Sequence, residues 1–292
     1  MRVLSTLTLT SLRTPKTGAP SSGCRGARSA RREECASRED ANDAQRRGTG
    51  CISGQNGASV LVGLLAVALL LAPAPAVAQE PSTANGEWPS YGGNLSHDRY
   101  SPLAQITADN FSDLELAWRF STDNLGPEPE RNYQSTPLMV NGILYVTAGS
   151  RRAAGALDPA TGELLWMHRV DEGERGSTAP RRLSGRGLTY WNDGNDGVIL
   201  YVTPGYQLVA LNALTGTRMA GFGDGGIIDL KQNIDQDLEA TSEIGLHAAP
   251  VVAGNTILIG AAHLPGGAPP SRTNVKGFIR GFNAQTGERK WI

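Results

Sequence analysis

Ala156-Leu157-Asp158-Pro159-Ala160-Thr161-Gly162-Glu163-Leu164-Leu165-Trp166 is one of three copies of a single phrase. Ala210-Leu211-Asn212-Ala213-Leu214-Thr215-Gly216 repeats it, and Gly281-Phe282-Asn283-Ala284-Gln285-Thr286-Gly287 repeats it again before reaching Trp291. In each copy an apolar run ends at an Asp or Asn, Thr-Gly follows, and a new strand begins. Asp and Asn open such turns because their side chains bond nearby backbone, and Gly closes them because it tolerates positive φ. The Asp/Asn positions lie 54 and then 71 residues apart. A strand-turn-strand phrase recurring at that spacing predicts an all-β protein, a β-propeller with one phrase per blade.

The rest of the body agrees. Short β-rich runs are expected at 137–140, 143–147, 164–169, 188–191, 198–203, 207–211, 249–252, 256–261 and 277–282, roughly four blades' worth. Asn141-Gly142 and Gly254-Asn255 read as hairpin turns between facing strands. Thr107 to Leu114 reads as one helical turn capped by Thr107. Trp118, Trp166 and Trp291 are expected to pack between neighbouring blades, whereas the second phrase offers only Ala220 at that offset.

The chain before this body has a different character. Val60 to Ala72 is an unbroken apolar run, followed by Ala76-Val77-Ala78. That pattern reads as a signal peptide over 59–78, shorter than the roughly 20 residues of a membrane span. Residues 1–58 are rich in Arg, Ser and Gly and read as a leader outside the fold, the mark of a start site placed too far upstream. The propeller portion is then 79–292, exported to the periplasm, with membrane association through an uncleaved anchor as the other outcome.

All three cysteines (Cys24, Cys35, Cys51) precede position 79, so the exported portion has no disulfide framework and no thiolate metal site. Residues 1–58 hold ten Lys/Arg and five Asp/Glu, which leaves the remainder near −6 of a whole-chain −1. Mild acidity gives no basis for nucleic-acid binding. No Cys-x-x-Cys-His haem motif and no phosphate loop is present. His247 and His263 each stand without a second metal-type ligand at useful spacing and read as ordinary loop or edge histidines. Trp291-Ile292 follow the third turn phrase directly, so the sequence reads as the N-terminal portion of a longer propeller.

Several ordered blocks resemble one family. Trp88-x-x-Tyr91-Gly92-Gly93, Arg99-Tyr100-Ser101-Pro102-Leu103, Tyr133-Gln134-Ser135-Thr136-Pro137, Gly185-Arg186-Gly187-Leu188 and Val275 to Phe282 are similar to the front of dehydrogenases that use pyrroloquinoline quinone (PQQ). The likeness runs from Glu87 to Ile292 and is nearest the glucose-dehydrogenase-like and polyol branch, in which Gln stands at the position of Gln134. It implies an eight-bladed propeller that oxidises an alcohol, polyol or sugar with PQQ and calcium, passing electrons to ubiquinone or a cytochrome c. It implies that Arg186 pairs with PQQ oxygens, that Gln134 meets a PQQ carboxylate and that Thr203 donates a hydroxyl. The general-base Asp of the family would fall beyond Ile292.

Two departures stand out. Arg181-Arg182 occupies the place of the adjacent cysteines many members carry, and 261–272 lacks the carboxylate many members give to calcium. The alternative from another class is a non-catalytic propeller of PQQ-like repeats that binds partner proteins in the cell envelope. The Gly185-Arg186-Gly187 and Tyr91-Gly92-Gly93 blocks favour the enzyme.

Overall fold

The computed structural model describes residues 6–11, 82–262 and 274–292. Its framework is three four-stranded antiparallel sheets, each a meander in sequence order. Sheet one contains β3 (Leu138–Val140), β4 (Ile143–Ala148), β5 (Ala153–Leu157) and β6 (Leu164–His168). Sheet two contains β7 (Thr189–Trp191), β8 (Val198–Val202), β9 (Gln207–Asn212) and β10 (Ile227–Asp229). Sheet three contains β11 (Val251–Ala253), β12 (Thr256–Ile259), β13 (Arg280–Asn283) and β14 (Arg289–Trp291). The strand runs counted as four blades thus resolve into three. A separate strand, β2 (Glu115–Ser121), pairs with β1 (Thr6–Ser11). That pairing falls inside the stretch read as leader. Its Thr-Leu-Thr-Leu-Thr alternation suits a strand, and β2 offers an open edge to pair with.

The three phrases fold alike. Asp158 Oδ1 accepts from the N–H groups of Ala160 and Thr161, both at 2.8 Å. Asn212 Oδ1 does the same for Leu214 and Thr215, and Asn283 Oδ1 for Gln285 and Thr286. Each turn closes when Gly162, Gly216 or Gly287 donates back to the carbonyl of that Asp or Asn at 2.8–2.9 Å. Those glycines sit at φ of +74, +70 and +77°, which a side chain adopts only at a cost.

Two tryptophans then join sheet to sheet. Trp118, on β2, donates its indole N–H to Pro159 O at 2.9 Å and lies on Gly162, where a Cβ would come within 2.5 Å of the ring. Trp166, on β6, donates to Ala213 O at 2.8 Å and covers Gly216 in the same way. At the third phrase, where Ala220 stands in place of a tryptophan, Ile228 packs on Gly287 and Gly223 N–H donates to Thr286 O at 2.9 Å. Trp291 departs from expectation. It is 45% exposed and lies over Gly281 of its own sheet.

Sheet two is buried on both faces. Along β8, Val198, Leu200 and Val202 join the cluster that includes Ile257, Ile259 and Phe282 of sheet three. Ile199 and Tyr201, one residue out of phase, join Leu138, Tyr145 and Ala156 of sheet one. The two-residue period of a strand sorts its side chains between the flanking sheets. The expected Thr107 cap is reversed. The short 3-10 turn is Phe111–Asp113, and Asn110 Oδ1 accepts from Thr107 N–H at 2.7 Å while its Nδ2 donates to Gln105 O at 2.8 Å. Among the described residues no helix is long and apolar enough to cross a membrane. The apolar run at 60–72, the three cysteines and His263 lie outside the described residues.

Candidate functional site

Each sheet begins with an entry segment, and the three entries meet. Gln134 stands three residues before Pro137 ahead of β3, and His247 stands three residues before Pro250 ahead of β11. Arg186 lies in the entry to sheet two, three residues ahead of β7. Backbone bonds stitch them together: Thr136 N–H donates to Arg186 O at 3.2 Å, and Arg186 N–H donates to His247 O at 2.9 Å. The repeat of the fold therefore gathers residues that lie more than a hundred positions apart in sequence.

These entries line an open cavity of about 690 Å³, within the range of small-molecule sites. Four guanidinium-bearing residues border it, Arg131, Arg181, Arg182 and Arg186, together with Gln134 and His247. Among the described residues no carboxylate lines it. Arg182 pairs with Glu128 Oε1 at 3.0 Å, both side chains being half-exposed. A concave site with this many guanidiniums and no acid is built for a ligand with several carboxylates, since each fork matches a carboxylate's paired oxygens.

Behind the cavity lies Arg152, which is fully buried and was not singled out from the sequence. Its guanidinium donates to four backbone carbonyls: Leu183 at 3.0 Å and Arg181, Val202 and Leu246 at 2.8 Å each. Burial pushes its pKa down to about 10, with Glu172 and Glu130 nearby opposing the shift, so it stays charged at neutral pH. Glu130 is buried as well and accepts from the N–H groups of Gly149 and Ser184, both at 2.8 Å. Arg152 thus fixes the loop that leads to Arg186 and the residue that precedes His247.

His247 is the residue that the sequence reading set aside. Its Nε2 lies 2.5 Å from Gln134 Oε1. Burial, then the positive charges of Arg152, Arg186 and Arg181, hold its pKa down to about 4. The available signal was the shared offset, Gln134-Ser-Thr-Pro137 against His247-Ala-Ala-Pro250.

The structure brings Gln134 and Arg186 together and does not bring Thr203 to them. Thr203 is buried, its Oγ1 donating to Glu172 Oε1 at 2.6 Å and accepting from Gln207 N–H at 3.0 Å. Glu172 also accepts from Gly205 N–H at 2.8 Å, and Arg175 of the short helix α1 (Gly173–Ser177) pairs with Asp229. Thr203 is one end of a clamp that holds this excursion on sheet two. No cluster of three or more His, Cys, Asp or Glu side chains among the described residues is placed to hold a metal ion. Calcium takes six to eight oxygen ligands. The guanidinium-lined cavity does not fit it, and no calcium chemistry is assigned to these residues.

Residues 88–292 match the family described as "PQQ: Glucose/ethanol/alcohol dehydrogenase, beta-propeller domain". The chain is 34% identical over 209 residues to the dehydrogenase subunit of a quinone alcohol dehydrogenase from Gluconobacter oxydans, covering 70% of this chain and 24% of that protein. It is 29% identical over 229 residues to a glycerol dehydrogenase large subunit from the same organism, covering 75% and 30% of the two chains. Among solved structures, a europium-containing methanol dehydrogenase superposes with a TM-score of 0.56 at 26% identity, over 73% of this chain and 32% of its own. The chain spans 24% to 32% of the length of these relatives.

Proposed function

The chain belongs to the β-propeller family of PQQ-dependent glucose, ethanol and alcohol dehydrogenases, and on that premise we propose that it holds one side of PQQ in an exported enzyme that oxidises an alcohol, polyol or sugar. The observation that carries this reading is the cavity bordered by Arg131, Arg181, Arg182 and Arg186 without a carboxylate. PQQ is a planar tricarboxylate, and it supplies the two-electron acceptor for the substrate's CH–OH carbon. Arg186 presents its fork to PQQ oxygens, and its position is set by backbone bonds to Thr136 and His247. Gln134 adds a neutral amide contact to a carboxylate. Arg152 keeps a fixed positive charge behind the site and ties down the loop carrying Arg181 and Leu183. These groups bind and orient. The base that takes the substrate's hydroxyl proton is not among them.

Export to the periplasm is supported by the apolar run and the small-x-small site before Gln79. Reoxidation of the reduced cofactor needs an electron acceptor, and ubiquinone or a cytochrome c takes that place in this reading. A cavity of this size lined by guanidiniums suits a small polyanion, which favours the enzyme over a scaffold propeller that binds only partner proteins. The test is dye-linked oxidation of ethanol, glycerol and glucose by the PQQ-loaded enzyme that carries this propeller portion together with its general base, and by its Arg186→Ala variant. Loss of one or two charge-assisted bonds predicts activity at limiting PQQ reduced about 10- to 100-fold. Equal activity in the variant would remove Arg186 from the site.

A further inference from the structure

We infer that His247 is the positioning residue of the cavity: its imidazole holds the Gln134 amide so that the amide NH2 group, and not the amide oxygen, faces the bound anion. This rests on the PQQ reading above. Gln134 and His247 occupy the same offset ahead of sheets one and three, and Arg186 lies between them ahead of sheet two. Nε2 of the imidazole meets Oε1 of Gln134 at 2.5 Å, so the proton of the neutral ring sits on Nε2 and the amide oxygen is taken up as its acceptor. The NH2 group is then the part of Gln134 left for the cavity.

The direction of that amide matters because of what surrounds it. A cavity already selected for carboxylates by four guanidiniums gains from one more donor and loses from an inward oxygen. A glutamine has no charge to orient it, and Gln134 is exposed, so its direction must be imposed by a neighbour. His247 can impose it because its own backbone is fixed on both sides. Its carbonyl accepts from Arg186 N–H at 2.9 Å, and the carbonyl of the preceding Leu246 accepts from Arg152 Nη1 at 2.8 Å. Arg152, Arg181 and Arg186 also disfavour a second proton on the ring, which keeps it a single-donor group at neutral pH.

A residue that acts through Gln134 must lose its effect when Gln134 is gone. The experiment is a double-mutant cycle on the full chain, with PQQ affinity read by quenching of tryptophan fluorescence. His247→Ala is expected to weaken PQQ binding about tenfold, the size of one lost hydrogen bond to a charged group. The same substitution in a Gln134→Ala background is expected to weaken it no further, and His247→Gln, which keeps an N–H donor, is expected to recover most of the loss. Wild-type affinity in His247→Ala, or losses that add in the double variant, would overturn the assignment while leaving the cofactor reading in place. A wild-type protein that does not bind PQQ would overturn the cofactor reading, and this inference with it.

Discussion

The indole N–H of Trp166 donates to the carbonyl of Ala213 at 2.8 Å, and the same ring covers Gly216 three residues further along the turn. One side chain at the end of sheet one thereby seals the turn of sheet two. The seal depends on a missing Cβ as much as on the ring. A methyl group on Gly216 would come 2.5 Å from Trp166 Cδ2 at a backbone φ of +70°. Gly142 is the control, with a φ of +77° and nothing within 4 Å of an added Cβ. Gly142→Ala is expected to cost about 1 kcal/mol from left-handed backbone alone. Gly216→Ala adds overpacking and should cost a further ~1–3 kcal/mol. Denaturant melts of the two variants decide the matter, and equal losses would mean that the tryptophan dock does not constrain the turn.

Arg152 makes a second, sharper prediction. Its charge is buried and all its hydrogen bonds found run to backbone carbonyls, those of Arg181, Leu183, Val202 and Leu246. Arg152→Met leaves those acceptors unpaired and should destabilise the protein by about 3–5 kcal/mol. Arg152→Lys keeps the charge but cannot reach four carbonyls with one ammonium, so it should fall between the two. A loss below about 1 kcal/mol for the Met variant would show that water replaces the guanidinium without cost.

The depressed pKa of His247 gives a pH dependence whose sign is fixed. In the unfolded chain the ring titrates at its ordinary value of 6.5, and in the fold at about 4. Between those values the unfolded state binds a proton that the folded state refuses. Stability due to this group is therefore complete above pH 6.5 and declines as pH falls toward 4. The expected result is a melting temperature that drops more between pH 7 and pH 5 for the wild type than for His247→Ala. Parallel drops would mean that neither burial nor the neighbouring arginines lower the pKa of the ring in the fold.

The turns and most strands were readable because the phrase encodes them locally. Asp158, Asn212 and Asn283 each bond backbone two and three residues ahead, so the fold at those points depends on no distant partner. The strand β10 escaped notice because it is three residues long and half-buried in a glycine-rich stretch. Arg186 and Gln134 were marked in the sequence by a family pattern. His247 was not, since its meaning lies in a partner 113 residues away. Thr203 carries a family pattern too, and in the fold its hydroxyl bonds to Glu172, 31 residues earlier. Arg152 showed only as a residue before a strand, and nothing local announces four carbonyls converging on it.

The cavity bordered by Arg131, Arg181, Arg182 and Arg186 is the proposed seat of PQQ. Titration of PQQ into the protein, followed by quenching of tryptophan fluorescence at two salt concentrations, tests it most directly. PQQ seated among these guanidiniums should show saturable one-to-one binding that weakens as salt rises and that falls about 10- to 100-fold in Arg186→Ala. Saturable binding that is indifferent to both salt and Arg186, or no binding at millimolar PQQ, would contradict this placement.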